Sequence, residues 1–398
     1  MFLGVIITVL ILSLLAEWAI YILHTKELSG RGKILYFTLS ALCTLTYPTM
    51  LIIGRIWDTP PTTASATINS LGIVLLLLNA AWKIPLILGL ILSSLCHRKG
   101  FVVASILFSV VATILILYGT VWERHQTRIS EVEIAFDNLP TEADGLRIVQ
   151  ISDLHIGLGL GRHTLLEKVT SEIERLQPDM VIDCGDMINI RHSEVDTLSV
   201  AILSRIKAPM GVYTTLGNHD RGDYIRDTIK LSKEENRRLL LERQSEMGWH
   251  NITDTTVMIP YGSEALYITG MRYPDSLKKG SHGVATKDDY SQHFNALPTD
   301  AFNIVIAHTP VMWENILAAT DAELTLSGHV HAMQLKLPIG KRGWSPAAIV
   351  YDYWSGLYRK GNAALHISDG IGSNVPLRIG TKPEIVVITL KKAQKLQF

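Results

Sequence analysis

The first 122 residues contain four long apolar stretches, and these limit the folds open to the chain more than any other feature. They are roughly Phe2–Leu23, Ile34–Ile53, Ile68–Leu95 and Phe101–Trp122. A helix of about 20 apolar residues spans the hydrocarbon of a bilayer and satisfies its own backbone hydrogen bonds. Because four such runs leave no amphipathic partner for a soluble core, we predict a transmembrane domain of about four helices over residues 1–122.

The third stretch and three polar residues in the apolar region leave alternatives open. Residues 68–95 are long for one crossing and are interrupted by Lys83 before Ile84-Pro85. One tilted, kinked helix is the preferred interpretation, and a re-entrant break or two short crossings are the alternatives. Glu17, Asn79 and Lys83 either contact a lipid headgroup, or Glu17 and Lys83 extend along their own stems toward the interface, which we favour.

Charge predicts the orientation of these helices, because basic residues favour the cytoplasmic side. With four crossings, the bases on one side are Lys26, Arg31, Lys33, Arg98 and Lys99, and those on the other are Arg55, Arg124 and Arg128. This difference predicts that the N-terminus and the soluble domain lie outside the cytoplasm.

The rest of the chain is mildly acidic and poor in cysteine. Beyond residue 122 there are 34 acidic and 30 basic residues. Nucleic-acid binding normally needs a basic face, so this balance argues against a nucleic-acid partner. Cys184 is the one cysteine there, so no disulfide forms within this part.

After the membrane domain the chain alternates between buried strands and helices. Residues 123–145 are predicted to be a linker and a first strand, and 146–398 a catalytic domain. The predicted strands are Leu146–Ser152, Met180–Cys184, Gly211–Thr215, Leu266–Gly270, Asn303–Ala307, Glu323–Leu326 and Ile385–Leu390, and the predicted helices are His163–Leu176 and Asp227–Met247. This alternation predicts an α/β domain with its site at strand ends.

Five short motifs follow these strands and carry metal-ligand chemistry. They are Asp153-Leu154-His155, Gly185-Asp186, Gly217-Asn218-His219-Asp220, His308 and Gly328-His329-Val330-His331. Divalent cations bind carboxylate and amide oxygens and neutral imidazoles. Two nearby divalent ions can clamp both the attacking and the leaving oxygen of a phosphate ester. The motifs therefore indicate a two-metal site for phosphate-ester hydrolysis.

The five motifs, in this order from about Leu146 to Leu390, resemble the calcineurin-like metallophosphoesterase superfamily. Within it, the chain is most similar to membrane-anchored bacterial phosphodiesterases. The resemblance implies a four-layer α/β/β/α sandwich of two mixed sheets and a multi-pass protein of a bacterial inner membrane. It also implies two divalent ions, of which Mn, Zn, Fe and Co are the candidates.

The resemblance also assigns a role to each motif residue. One metal takes Asp153, His155, Asp186 and His331, and the other takes Asp186, Asn218, His308 and His329, so that Asp186 bridges the two. His219 is left for catalysis. We expect it to stabilise the transition state or to protonate the leaving oxygen, with its ring oriented by Asp220 and its charged form favoured.

Three further residues are candidate substrate contacts. Gly-His-x-His is usually followed by Gly-Gly-Gln in the similar bacterial enzymes, whereas here it is followed by Ala332-Met333-Gln334. Met333 either narrows the pocket for an apolar substrate or serves packing alone. Arg378 suits a phosphate, with a surface salt bridge as the alternative. His163 either reaches substrate or is a surface residue. Asp183 either supports the metal site or pairs with a base.

Three functions are compatible with this sequence. The first is hydrolysis of a phosphodiester or pyrophosphate bond in a lipid-linked substrate at the bilayer. The family contains enzymes that cleave the pyrophosphate of UDP-diacylglucosamine and others that release phosphoethanolamine from glycolipids. The second is a tethered phosphodiesterase for a soluble nucleotide or phosphoprotein. The third is a non-enzymatic scaffold or sensor, which the complete set of metal ligands disfavours.

Overall fold

The structure, a computed structural model, describes most of the chain. The described residues are 29–56, 63–157, 161–225, 231–277, 290–295, 297–298, 301–340, 342–373 and 375–393, with 11, 13–15, 17–18 and 21. Contacts divide the chain into two compact units. The helical unit comprises residues 1–123 and 375–379, and the sheet unit comprises residues 124–374 and 380–398. These contacts group residues 375–379 with the helical unit, and the predicted domain boundaries, which place them in the catalytic domain, stay a prediction.

The helical unit is built from long apolar helices. They are α1 (Gly30–Ile56), α2 (Thr63–Cys96) and α3 (Gly100–Val121). Among the described residues, two helical segments are long and apolar enough to cross a bilayer, Ser70–Cys96 and Gly100–His125. The second predicted stretch falls within α1, and most of the first, Phe2–Leu23, lies outside the described residues. Four crossings therefore stay a prediction.

Helix α2 settles two of the open alternatives. It continues without a break through Lys83 and Pro85, which confirms the preferred single helix. The Lys83 ammonium forms a salt bridge with Glu17 and donates a hydrogen bond to Thr44 Oγ1 at 2.8 Å. Tyr36 donates to the Glu17 carboxylate at 2.6 Å. The prediction that these side chains extend to the interface is wrong, because each charge is compensated by a partner among the helices.

The sheet unit contains two six-stranded sheets. The first has the order β1-β12-β2-β3-β4-β5 and the second the order β10-β11-β9-β8-β7-β6. The strands of the first are β1 (Arg128–Phe136), β2 (Arg147–Ile151), β3 (Met180–Asp183), β4 (Val212–Thr214), β5 (His250–Asn251) and β12 (Glu384–Lys392). Those of the second are β6 (Thr255–Tyr261), β7 (Glu264–Gly270), β8 (Phe302–Ile306), β9 (Leu324–Ser327), β10 (Gly356–Lys360) and β11 (Ala363–Ile367).

Parallel pairing brings strand ends together at one edge of each sheet. Strands β2 to β5 are parallel in the first sheet, and β7, β8, β9 and β11 are parallel in the second. The central strands β2, β3 and β8 are almost fully buried and rich in Val and Ile, as expected for parallel strands covered on both faces, whereas the short edge strand β5 is partly exposed. The polar motifs follow immediately after their carboxyl ends, so the strand pairing collects those motifs at one place.

Helices and apolar clusters complete the sheet unit. The helices are α4 (Arg162–Leu176), α5 (Thr197–Leu203), α6 (Lys233–Glu246) and α7 (Trp313–Ala319). One buried cluster joins side chains of both sheets, including Ile148 and Ile304. A second joins the first sheet to α4, α5 and α6, and a third joins β8 to α7. An α/β fold with two sheets is thus confirmed.

Candidate metal centre

Three groups of ligand atoms converge where the parallel strands end. The members of each group offer ligand atoms within 4.8 Å of one another. The groups are Asp153 with His155 and His331, Asp186 with His155 and His219, and Asp186 with His308 and His329. Asn218 joins the third group, since its Oδ1 lies 3.2 Å from His308 Nε2. Every residue singled out in the motifs for ligation or catalysis, apart from Asp220, is thereby brought into these groups.

Asp186 belongs to two of the three groups, and His155 links the remaining group to it. Its Oδ2 lies 3.1 Å from His308 Nε2 and 3.8 Å from His155 Nε2, while its Oδ1 accepts a hydrogen bond from the backbone amide of His219 at 2.7 Å. Burial raises the pKa of this carboxyl, but the neighbouring His308, His219 and His155 lower it more. The carboxylate is therefore the form present at neutral pH.

The hydrogen bond of His308 orients its ring. His308 Nδ1 lies 2.8 Å from the Cys184 carbonyl oxygen, so Nδ1 carries the proton and donates it. In the neutral imidazole, Nε2 then presents a lone pair to Asp186 Oδ2 and Asn218 Oδ1. Three acceptors facing one another repel unless a positive charge lies among them.

This acceptor cluster fits a divalent cation. Burial alone would lower the pKa of His308, but Asp186 and Asp153 raise it to about 10. In the metal-free protein a proton on Nε2 thus supplies the positive charge that the oxygens require. A cation bound by imidazoles and carboxylates is the chemical equivalent of that proton. The residues present therefore fit a metal at this position.

The other group has the same character. His331 Nε2 lies 3.2 Å from Asp153 Oδ1 and 3.3 Å from His155 Nε2. Asp153 is held in turn by Ser152 Oγ, which donates to its Oδ2 at 2.6 Å, and by the backbone amide of His329 at 3.0 Å. Burial lowers the pKa of His155, and His219 lowers it further, which keeps this imidazole neutral and able to bind a metal.

The structure corrects the predicted role of Asp220. Its Oδ2 accepts hydrogen bonds from the backbone amides of Asp186 and Gly217 at 2.7 and 2.9 Å, and its Oδ1 accepts one from Ile188 at 3.2 Å. The carboxyl therefore joins two motif loops and does not orient the imidazole of His219. Burial and the charge of Asp186 raise the pKa of Asp220 to about 7.

His219 is oriented by a different pair of groups. Its Nδ1 lies 2.7 Å from the Asn189 carbonyl oxygen, and its ring stacks on Tyr224 with the centroids 4.1 Å apart. Glu194 accepts hydrogen bonds from the backbone amides of Asn189 and Ile190, which shapes that loop. Burial lowers the pKa of His219, with Asp186 opposing, so the expectation that its charged form is favoured is not met.

Tyrosine side chains near the centre were not predicted from the sequence. Tyr224 accepts a hydrogen bond from Asn218 Nδ2 at 3.0 Å, which turns Oδ1 of that amide toward His308. The ring centroid of Tyr273 lies 6.0 Å from that of His308 and 5.7 Å from that of His329, and the ring centroids of Tyr351 and His329 are 6.4 Å apart. No motif marks these residues, because their spacing from the ligands in sequence follows no pattern.

The candidate substrate residues lie in different surroundings. His163 lies at the start of α4, and its Nε2 is 3.1 Å from Oδ1 of Asp196. Arg162 pairs with the same carboxylate. Met333 is half-buried and packs on a cluster that includes Val330, Ala347 and Tyr351. Arg378 is fully buried in the helical unit, where its backbone amide donates to the Gly119 carbonyl at 3.3 Å. A surface salt bridge is thus wrong for Arg378.

Asp183 belongs to the core behind the centre. It is fully buried, and Thr214 Oγ1 donates to its Oδ2 at 2.7 Å. Burial raises its pKa well above the ordinary value, and the charges of Asp220 and Asp153 add to that effect. Among the described contacts Asp183 bonds to a hydroxyl, and the predicted pairing with a base is not found there.

Comparisons with known proteins place this site in a family. A profile of the calcineurin-like phosphoesterase family matches residues 146–333. The metallophosphoesterase YkuE of Bacillus subtilis is 30% identical over 69% of this chain and 89% of its own length. The UDP-2,3-diacylglucosamine pyrophosphatase LpxG of Chlamydia trachomatis is 25% identical over 67% of this chain and 92% of its own length.

The name of a third relative includes both a transmembrane part and a metallophosphoesterase domain. The transmembrane protein with metallophosphoesterase domain of Danio rerio is 29% identical over 73% of this chain. This chain spans 63% of the length of that relative. The residues matched by the family profile include every motif from Asp153 to His331, and these motifs build the metal centre. The chain belongs to the calcineurin-like phosphoesterase family.

Proposed function

We propose that this chain is a membrane-attached, metal-dependent hydrolase that cleaves a phosphodiester or pyrophosphate bond in a lipid-linked substrate. One observation carries the chemistry: Asp186 belongs to two of the three convergent ligand groups. A shared carboxylate is the arrangement that holds two cations close together. Membership in the calcineurin-like phosphoesterase family supports the same reaction class.

The ligand groups support two metal positions. Asp153, His155, Asp186 and His331 would hold one divalent ion, and Asp186, Asn218, His308 and His329 the other. When bound, two such ions lower the pKa of water and stabilise the charge that develops on the attacking and leaving oxygens. Mn, Zn, Fe and Co suit this mixture of imidazole and oxygen ligands, and the choice among them is a matter for elemental analysis.

His219 is the residue that we assign to the leaving oxygen. Because Nδ1 donates to the Asn189 carbonyl, Nε2 is the nitrogen that can hold a proton toward the substrate. Asp220 supports this geometry indirectly, since it fixes the loops that carry Asp186 and Gly217. His163 and Met333 stay candidate substrate contacts, whereas Arg378, fully buried in the helical unit, is left out of the proposed site.

Three observations support a lipid-linked substrate. A relative that shares most of its length with this chain is named as a pyrophosphatase for a diacylated nucleotide sugar. Two described helical segments are apolar enough to cross a bilayer. Six residues, 122–127, separate the end of α3 from the start of β1, so the catalytic part is tethered at short range. We propose a multi-pass protein of a bacterial inner membrane. Its catalytic domain would be a four-layer sandwich that lies outside the cytoplasm.

A soluble substrate is the second candidate, and one cavity favours it. A cavity of about 320 Å³ adjoins Tyr273, which borders His308 and His329. Its lining includes the charged side chains Asp254, Arg272 and Asp275. These charged side chains beside the aromatic rings of Tyr273 and Tyr290 suit a polar ligand that contains a ring better than an acyl chain. In this alternative the helices act as a tether alone.

The test of the chemistry uses the purified full-length protein with bis-p-nitrophenyl phosphate. We expect turnover that requires Mn, Zn, Co or Fe and that is abolished by Asp186→Asn or His308→Ala. His250→Ala is the matched control, because it removes an exposed imidazole on β5 that belongs to none of the ligand groups. Absence of turnover with all four metals would defeat the proposal and leave the scaffold or sensor.

A second assay separates the two substrate classes. The full chain in lipid vesicles is given a diacylated nucleotide sugar and, separately, a soluble nucleotide diphosphate of the same headgroup. We expect faster hydrolysis of the acylated compound, with kcat/KM falling when vesicles are replaced by excess detergent. Equal rates with both compounds, unaffected by detergent, would favour the soluble substrate.

A further inference from the structure

The segment Leu335–Val350, which we call the apolar loop, exposes an unusual set of side chains. In the described part of the sheet unit, six large apolar side chains are exposed, and four of them lie in this loop: Ile339, Trp344, Ile349 and Val350. Ile349 is 77% exposed and Ile339 60%. Apart from Arg342, each exposed residue described between Leu335 and Val350 is apolar or glycine.

The loop is held in a fixed shape, so this display does not come from a loose segment. Leu337 and Trp344 exchange two backbone hydrogen bonds of 2.8 and 2.9 Å. Ser345 Oγ donates to the Ala332 carbonyl at 2.6 Å and accepts from the Ala347 amide at 3.0 Å. Lys336 Nζ donates to Ser355 Oγ at 2.8 Å. The buried base of the loop therefore fixes which side chains face outward.

The charge of the loop matches an anionic surface. The sequence from Gly328 to Tyr351 contains Lys336, Lys341 and Arg342 and no acidic residue. Lys336 is half-buried and forms an ion pair with Asp369 at 3.2 Å, so the match depends on Lys341 and Arg342. Arg342 is exposed and lies with its guanidinium carbon 3.8 Å from the centre of the Tyr358 ring. Aromatic, aliphatic and basic side chains together are the composition of segments that lie at a bilayer interface.

Chain connectivity keeps a bilayer within reach of the sheet unit. The six residues 122–127 that join α3 to β1 span at most roughly 20 Å when fully extended. A membrane is thus the apolar partner that is always close to this part of the chain. We propose that the apolar loop docks on the membrane surface, with Ile339, Trp344 and Ile349 entering the boundary between headgroups and acyl chains.

The loop also continues into the metal centre. It begins four residues after His331, and it ends at Val350, next to Tyr351, whose ring lies 6.4 Å from His329. Ala347 packs in one buried cluster with Val330 and Tyr351. A membrane-docked loop would bring the headgroup layer beside the residues that we assign to the second metal. The inference rests on the proposed membrane attachment and does not depend on the proposed chemistry.

The test measures membrane depth without any substrate. Cys43 and Cys96 are replaced by serine in the full chain, while the buried Cys184 is kept. An environment-sensitive fluorophore is attached to Ile339→Cys or Ile349→Cys, and the protein is placed in phosphatidylethanolamine–phosphatidylglycerol vesicles at high lipid-to-protein ratio. Leu198→Cys and Met258→Cys are matched controls, because both residues are apolar and exposed outside the loop.

We expect fluorophores in the loop to be quenched several-fold more by nitroxide-labelled lipid than those at positions 198 and 258, and to be shielded from aqueous iodide. Iodide quenching equal to that of the controls would overturn the proposal. Shielding from iodide without lipid quenching would also overturn it, because a second protein surface would then be the cover. Turnover of bis-p-nitrophenyl phosphate by the same labelled proteins is measured separately, so that loss of the chemistry is distinguishable from loss of docking.

Discussion

At the scale of single residues, the metal centre depends on backbone conformations that most residues avoid. Asp153, His155, Asp186, His329 and His331 all have positive φ, from 42° to 69°. A non-glycine residue in this region costs about 1–2 kcal/mol, and such strain persists where the surroundings enforce it. The strand ends and the hydrogen bonds of Asp220 hold the backbone in these conformations. The ligands are thus placed at a cost in the stability of the fold.

Tyr224 is predicted to position Asn218 through its hydroxyl and the imidazole of His219 through its ring. In Tyr224→Phe the ring stack on His219 remains, but Asn218 loses the acceptor that orients its amide. We expect the metal concentration for half-maximal activity to rise roughly five- to tenfold, about 1 kcal/mol, with kcat nearly unchanged at saturating metal. Tyr224→Leu should lower kcat as well.

Titration of activity with metal separates these two effects. Tyr261→Phe, on strand β6, is the control and should match the unsubstituted protein. An unchanged metal requirement in Tyr224→Phe would show that the hydroxyl has no part in placing Asn218.

At the scale of elements, most of the buried strands were predicted from apolar segments, but burial alone did not decide the outcome, since the buried strand β11 was not predicted. The parallel strands β2, β3, β4, β8 and β9 are buried and mostly apolar, and their predicted bounds agree with the structure to within about two residues. Strands β6 and β10 were not predicted, because they lie at the two edges of the second sheet and are partly exposed, so no continuous buried run marks them.

For residues of the site, predictability depends on whether the residue belongs to a motif that directly follows a strand. Ligands carried by short motifs after strands were predicted, because strand pairing alone brings them together. Tyr273 and Tyr351 were missed because only the packing of distant segments places them near His329. Asp220 was misassigned because adjacency in sequence suggested a contact with His219, whereas its carboxyl points to the amides of the preceding motif.

A glycine at the end of β9 is predicted to be essential for the site. A methyl group on Gly328 would overlap Ser152 Oγ and Asp153 Oδ2, which lie directly against the backbone. Gly328→Ala should therefore displace the Asp153 carboxylate and raise the metal requirement roughly tenfold or more, about 1.4 kcal/mol. Gly100→Ala is the control, because open space surrounds that glycine and its backbone at the start of α3 is helical. Equal metal requirements in both variants would contradict the close approach.

The charge pair in the helical unit is predicted to stabilise helix packing. Lys83→Met leaves Glu17 buried without its cationic partner, which should cost about 3 kcal/mol. Glu17→Gln combined with Lys83→Met removes both charges and should recover most of that loss. Thermal unfolding of the full chain in detergent measures the difference, with the exposed Lys99→Met as control. A double variant as unstable as the single one would show that the pair is not the source of stability.

At the scale of the whole molecule, the metal centre links the two sheets. Asp153, Asp186 and Asn218 follow strands of the first sheet, whereas His308, His329 and His331 follow strands of the second. A cation bound by residues from both sheets acts as a crosslink between them, and a ligand that binds only the folded state stabilises it. Metal loading should therefore raise the unfolding temperature of the sheet unit as a whole.

The same centre makes stability and metal affinity depend on pH in opposite directions. In the metal-free protein the pKa of His308 is about 10, against 6.5 in the unfolded chain, because Asp186 and Asp153 outweigh the effect of burial. The stabilising contribution is fully present below pH 6.5 and is lost as pH rises through 10. A metal ligand must be a neutral imidazole, so metal binding at neutral pH releases this proton.

We therefore expect the stability of the metal-free protein to fall between pH 6.5 and 10 while metal affinity rises roughly tenfold for each pH unit over the same range. Calorimetry in two buffers with different ionisation enthalpies counts the protons released. Asp186→Asn removes the charge that most raises this pKa, so any metal still bound should release fewer protons near pH 7. A binding enthalpy independent of the buffer would mean that His308 is already neutral, and the proton would then have no role in holding the acceptors of this centre together.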